Sequence, residues 1–191
     1  MQLHEAFQEF PIIITERLMI RKITKSDEEA YNALSLDHDV NNYWGYSTPN
    51  KAFRQEQQQE KTWYDTVMSS YYDKSTLPWI VADKNTDKML GEIFLYEFKG
   101  EFQAEVGYRF LREAWGHGYA TEALKAVVRF GKEKLQLHRI ELRCIVGNDA
   151  SVKVAEKSGF VKEGLIRQGH IINIFADYYI YGHVTMDKSK D

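Results

Sequence analysis

Hydrophobic spacing along the chain switches between a period of two and a period near 3.6, the signatures of strands and amphipathic helices. Residues 17–23 alternate, Leu18 and Ile20 against Arg17, Met19 and Arg21, and predict a first strand. Ser26, Asp27, Glu28 and Glu29 have the form of a capping box and predict a helix reaching about residue 37. Residues 37–48, with Tyr43, Trp44 and Tyr46 around Gly45, predict a loop; Thr48 and Pro49 then supply a cap and a first-turn proline for a helix over 50–70. Strands over 79–82 and 89–96 flank the polar stretch 83–88 and predict a hairpin, and 104–111 adds a further strand. From 118 to 135 Ala120, Ala123, Leu124, Val127, Val128, Gly131 and Leu135 recur at helical spacing, with Lys125, Arg129 and Lys132 among the polar positions. A strand over 139–146, a short helix over 149–158 stopped by Gly159, and strands over 160–165 and 174–186 complete the pattern. Residues 1–14 have no period and are expected to dock as an arm. The order predicts an α/β fold with a mixed sheet in a single domain over 1–191.

Composition narrows the function classes. The net charge of −3 argues against a broad nucleic-acid surface, although a local basic patch can still hold an anion. No apolar run approaches membrane-spanning length, and the acidic N-terminal stretch does not resemble a signal peptide, so a cytoplasmic protein without a membrane partner is expected. Cys144 is the single cysteine and shares a strand face with Ile140 and Leu142, which predicts a buried, inert thiol. The histidines are scattered. Asp37, His38 and Asp39 have metal-ligand chemistry, but a polar loop accounts for them, and no metal is expected.

Candidate chemistry concentrates at 112–123, where the strand ending near Leu111 meets the long helix. Gly116 and Gly118 stand at a helix start, where unpaired amides and the helix dipole favour an anion and the missing Cβ lets it approach. A glycine-rich turn is the plain alternative. Asn148 is an expected N-cap for the helix that follows, and Ser151 is an ordinary first-turn residue. Glu105 on the strand over 104–111, and Glu92 on its neighbour, are candidate bases if burial raises their pKa; otherwise they are alternating strand residues. Tyr108 and Phe110 fit either an acyl groove or the core.

Residues 115–120, Trp-Gly-His-Gly-Tyr-Ala, together with Asn148-Asp149-Ala150-Ser151 and Gly159-Phe160, resemble the acetyl-coenzyme A signature of the GNAT superfamily of N-acetyltransferases. Trp115 in place of Gln or Arg, Thr15-Glu16-Arg17-Leu18, and Glu163-Gly164 with Arg167 and Asp177 are similar to the ribosomal-protein N-terminal acetyltransferase (RimJ/RimL-like) branch. The resemblance implies a mostly antiparallel central sheet flanked by helices, with a splayed strand pair forming the acetyl-CoA site. It implies pyrophosphate binding by Trp115, Gly116, His117, Gly118, Tyr119, Ala120 and Thr121, and backbone donors for pantetheine and oxyanion at Phe110, Leu111 and Arg112. Asn148 would contact the pantetheine arm. Ser151 would lie near the thioester sulfur as a donor to the leaving thiolate, because Ala155 stands where many members carry an acidic tyrosine. Glu105 would be the general base, with Glu92 as the alternative. The implied partners are acetyl-CoA and an amine acceptor, a protein N-terminus or a small molecule, acting in a monomer or homodimer. Two alternatives stay open: a catalytically silent acetyl-CoA-binding module, and a dinucleotide-dependent oxidoreductase using Gly116-His117-Gly118.

Overall fold

The computed structural model of the chain describes residues 3–44, 63–171 and 174–184. Its strands are Ile13–Ile14 (β1), Leu18–Arg21 (β2), Leu77–Asp83 (β3), Met89–Lys99 (β4), Gln103–Phe110 (β5), Arg139–Ile145 (β6), Val161–Ile171 (β7) and Ile174–Val184 (β8). They form one eight-stranded sheet in the order β1-β2-β3-β4-β5-β6-β8-β7. Every pairing is antiparallel except β5 with β6. That parallel pairing is short: Gln103, Ala104 and Glu105 face Arg139, Ile140 and Glu141, and beyond them the strands diverge. The predicted splayed pair is therefore present, and its opening positions the site.

Helices Leu3–Ala6 (α1), Glu28–Leu36 (α2), His38–Asn41 (α3), Trp63–Tyr72 (α4), Tyr119–Glu133 (α5) and Asp149–Lys157 (α6) flank the sheet. Helix α5 turns Ala123, Leu124, Val127 and Val128 inward, where all four are buried. Each such Val or Leu contributes roughly 1.5–3 kcal/mol of burial. Gly131 lets the helix come close to the sheet: a Cβ there would stand 2.9 Å from Ile140 Cδ1. A larger residue at 131 would have to displace the Ile140 and Leu137 methyl groups. The N-terminal stretch packs against α4 and β3. Ala6 is buried, Tyr71 hydroxyl donates to its carbonyl, and Phe10 meets Tyr71 and Trp79.

Three expectations need correction. Ser26 does not cap α2: Thr24 caps a 3-10 turn over Lys25–Asp27, where Asp27 accepts from the Thr24 amide and hydroxyl, and Asp27 is the N-cap position of the helix that follows. Asp27 faces inward because Arg21 grips both its oxygens, at 2.8 and 3.0 Å. Residues 37–44 are not a loop. Asp37 accepts from the amides of Asp39 and Val40 and starts α3, followed by a 3-10 turn over Asn42–Trp44. Strand β7 runs well past residue 165, because β8 pairs along its whole length. The predicted Thr48-Pro49 cap and the first part of the helix over 50–70 lie outside the described residues. No described helix is long and apolar enough to cross a membrane.

Candidate active site

Where β5 and β6 part, a slot of about 470 Å³ passes through the sheet. Side chains alternate across a strand, so its two walls belong to opposite faces. Val106, Tyr108 and Phe110 of β5, with Leu142 of β6, share the face covered by α5 and α6. Glu105, Arg109 and Arg143 share the other face, which α2 and α3 approach through Asn41. The N–H and C=O groups of Val106, Tyr108 and Phe110 turn toward the diverging β6, because the alternating residues of β5 are those that bond to β4.

The glycine loop lies at the helix-side mouth. Gly116 and Gly118 have φ of +78° and +80°, a conformation that L side chains adopt at a cost. Gly118 is the N-cap of α5, so the amides of Tyr119, Ala120 and Thr121 begin the helix without intrahelical acceptors. Gly116, Gly118, Tyr119, Ala120 and Thr121 all line the slot, with Lys153 and Lys157 from α6 across from them. Arg17 braces this loop. Its guanidinium donates to the His117 carbonyl at 3.0 Å, sits over the Tyr119 ring and pairs with Glu122 at 2.6 Å. Thr15 hydroxyl holds the same Glu122 carboxylate at 2.6 Å. Trp115, 48% exposed, spends its indole N–H on the Phe110 carbonyl at 2.8 Å and so ties the loop to the end of β5.

Three sequence-predicted cofactor contacts sit differently. Leu111 amide donates to Leu90 O at 2.9 Å and its side chain is buried, so it has no donor for a ligand. Arg112 turns outward to Asp39, 2.7 Å away, and does not line the slot. His117 does not line it either; its ring stacks on Tyr119. Phe110 does line it.

On the helix-side wall Asn148 caps α6, its Oδ1 accepting from Ser151 N at 3.1 Å. Ser151 Oγ lies 3.0 Å from Tyr108 hydroxyl and 3.4 Å from Cys144 Sγ. Burial drives the Tyr108 phenol well above its usual range and pushes the Cys144 thiol up to about 11, so both stay protonated near neutrality. Cys144 is 1% exposed, as its strand face implied. Ala155 is fully buried and brings no hydroxyl.

On the opposite wall Glu105 is 3% exposed at the point where the slot opens. Its Oε1 accepts from Tyr96 hydroxyl, and Arg143 Nη2 stands 2.7 Å from Oε2 without the alignment of a hydrogen bond. Burial raises the pKa of this carboxyl; Tyr96 and Arg143 oppose the rise without cancelling it. Glu92 is buried behind the slot rather than on it, bonded to Arg109 Nε, while Arg109 Nη1 donates to Asn41 Oδ1 at 2.6 Å. Among the described residues no cluster of three His, Cys, Asp or Glu side chains is arranged to hold a metal, and His38 and Asp39 are exposed. Sequence reasoning missed Tyr96, Arg143 and the bracing role of Arg17. Only Arg17 carried a signal, as part of the Thr15–Leu18 resemblance.

Free helix-start amides at one mouth, hydroxyls on one wall and a carboxylate on the other fit a group-transfer enzyme with an anionic donor. Residues 17–161 match the acetyltransferase (GNAT) domain, and the chain belongs to that family. It is an N-acetyltransferase with acetyl-CoA as donor. It is 32% identical over 160 residues to the uncharacterized N-acetyltransferase YoaA of Bacillus subtilis (strain 168), covering 83% of this chain and 88% of that one. Among solved structures, a GNAT-family acetyltransferase from Bacillus anthracis superposes with a TM-score of 0.77 at 27% identity, over 91% of this chain and 98% of that one. Spermidine N-acetyltransferase from Vibrio cholerae, in complex with CoA and spermine, shares the fold at a TM-score of 0.73 and 21% identity, over 89% and 96% of the two chains. The oxidoreductase alternative falls here, because the sheet is mostly antiparallel and lacks the doubly wound parallel order of dinucleotide folds.

Proposed function

We propose that this enzyme acetylates a singly charged primary amine, a protein or peptide α-amine, with the two substrates meeting in the slot from opposite faces of the sheet. The observation that carries the reading is the division of the walls: Ser151 and Tyr108 on the α5/α6 face, Glu105 and Tyr96 on the other. The pyrophosphate of acetyl-CoA sits against the amides of Gly116, Gly118, Tyr119, Ala120 and Thr121, with Lys153 and Lys157 adding positive charge. Pantetheine runs along the unpaired edge of β5, whose amides at Tyr108 and Phe110 also face the developing oxyanion.

The amine nitrogen then bonds to the thioester carbon, the carbon–sulfur bond breaks, and sulfur leaves with the electron pair. Before attack the Tyr96–Glu105 pair on the acceptor side takes one proton from the ammonium form of the amine, and the proton released as the carbon–nitrogen bond forms goes to water. Ser151 donates a hydrogen bond to the departing thiolate and keeps its proton. A thiol of pKa ~8.5 leaves with little help, so the wall needs no strong acid.

Charge supports the acceptor class. The acids lining the slot are each matched by an arginine, Glu105 by Arg143 and Asp39 by Arg112. Among the described residues that leaves no surplus negative charge to attract a polycation. An α-amine, of pKa about 8 against about 10.4 for lysine, also supplies more of the reactive free base at neutral pH. Mass-spectrometric detection of acetyl transfer across peptides, polyamines and aminoglycosides tests the reading. Peptide α-amines should be modified fastest; turnover confined to polyamines would sink the acceptor assignment.

A further inference from the structure

The helix-side wall contains a hydroxyl whose role packing does not explain. The Tyr108 ring meets Phe110 and would fill the same space as a phenylalanine. Its hydroxyl reaches past the ring to Ser151, 3.0 Å from Oγ, while the serine carbonyl lies farther off at 3.5 Å. The Ser151 backbone is anchored, its amide donating to Asn148 Oδ1. Behind it the buried Cys144 Sγ lies 3.4 Å from the same oxygen.

We infer that Tyr108 is a positioning residue whose hydroxyl donates to Ser151 Oγ and thereby leaves the serine proton aimed into the slot at the departing sulfur. A serine hydroxyl has one hydrogen and two lone pairs. Tyr108 and Cys144 can each supply a hydrogen to one lone pair, and burial keeps both protonated. With both lone pairs filled, the remaining hydrogen has one open direction, into the slot that Ser151 and Tyr108 both line. Ala155 offers no hydroxyl, so the Ser151 hydroxyl takes its orientation from Tyr108 on β5 and Cys144 on β6. The thiol is a weak donor and contributes the smaller share.

This inference rests on the proposed acetyl transfer in the slot and assigns a residue to it. The test is a kinetic cycle of Tyr108→Phe, Ser151→Ala and the double variant, with wild-type transfer to a peptide amine as the reference. Tyr108→Phe should lower kcat about three- to tenfold, the effect of one ordinary hydrogen bond, with KM for acetyl-CoA held within about twofold. In the Ser151→Ala background it should add nothing, because its effect passes through that oxygen. Replacing Tyr108 by 3-fluorotyrosine preserves the ring and strengthens the donor, and should hold or raise kcat. Multiplying effects in the double variant, an unaffected Tyr108→Phe, an unaffected Ser151→Ala, or a fall with the fluorinated residue would each overturn the positioning role. Absence of transfer by the wild-type enzyme to any amine would instead remove the underlying reaction.

Discussion

Gly116 offers the sharpest test of the anion cradle, because its two costs separate. It holds φ of +78°, and a Cβ built there meets no protein atom within 4 Å. Gly116→Ala therefore adds backbone strain and no clash. An L residue in this conformation costs roughly 1–2 kcal/mol. For a chain of this length that lowers Tm by about 2–8 °C. Binding measured on the folded protein does not include that strain, so any loss of affinity reports on the space the methyl enters. If pyrophosphate lies against the loop amides, the methyl occupies its place, and Kd for acetyl-CoA by titration calorimetry should rise at least about tenfold, or 1.4 kcal/mol. Gly100→Ala is the control. Gly100 also has a positive φ, +60°, in the β4–β5 turn, and its new Cβ would have only Phe102 Cδ2 nearby at 3.8 Å. It should lose similar stability and bind acetyl-CoA as the parent does. Equal Kd values for the two variants would take the loop out of the binding site.

Glu105→Gln should slow transfer most below the pKa of the acceptor amine, on the order of 10²-fold, and progressively less as free amine accumulates; a defect of constant size from pH 6 to 10 would make Glu105 a structural residue. Cys144→Ala should keep most of its turnover, and the native thiol should resist iodoacetamide at pH 7, since burial holds it up to about 11; an acetylated Cys144 trapped during turnover would replace direct attack by a two-step route. Asp27→Ala should lose about 1–3 kcal/mol in urea unfolding, because buried Arg21 loses both bonds to Asp27 and keeps its pairing with exposed Asp87. Burial pushes the Asp27 pKa up, but Arg21 and Thr24 outweigh it, so the stability it contributes disappears only as pH falls through its depressed value. His183 shifts the other way for a base: burial, then Lys132, lower its pKa from 6.5, so the unfolded chain protonates first and stability declines as pH drops below 6.5. His183→Gln should flatten that part of the stability profile, and an unchanged slope would assign it to another group.

The parts of this fold that were legible are those whose signal lies within one segment. Helix α5 was predicted within two residues at each end, since its apolar stripe repeats over its length and glycine starts it. The β3–β4 hairpin was equally clear, with six polar or turn-forming residues between two apolar runs. Helix α3, four residues long, is shorter than the pattern that would announce it. Strand β7 was read too short because its outward residues are exposed on both faces and alternate weakly. The glycine turn before α5 is legible from local spacing. Its brace was not placed, because Arg17 and Glu122 meet across 105 positions. The Tyr108–Ser151 contact spans 43 positions and depends on which face of β5 each side chain takes. Tyr96 reached Glu105 only through the strand register that sets them opposite one another.

The brief contact between β5 and β6 has a mechanical consequence. Strands β1–β5 and strands β6–β8 are two half-sheets stitched by three residue pairs and spanned by α5. Such a seam is where a protein opens as separate cooperative units before it unfolds as a whole. The slot is the gap between those units, so a ligand wedged in it acts as a second seam. Acetyl-CoA should then slow amide hydrogen exchange at residues 103–105 and 139–141 as well as at the glycine loop. The apo protein should show the two halves exchanging on distinct time scales, merging toward one once the gap is bridged.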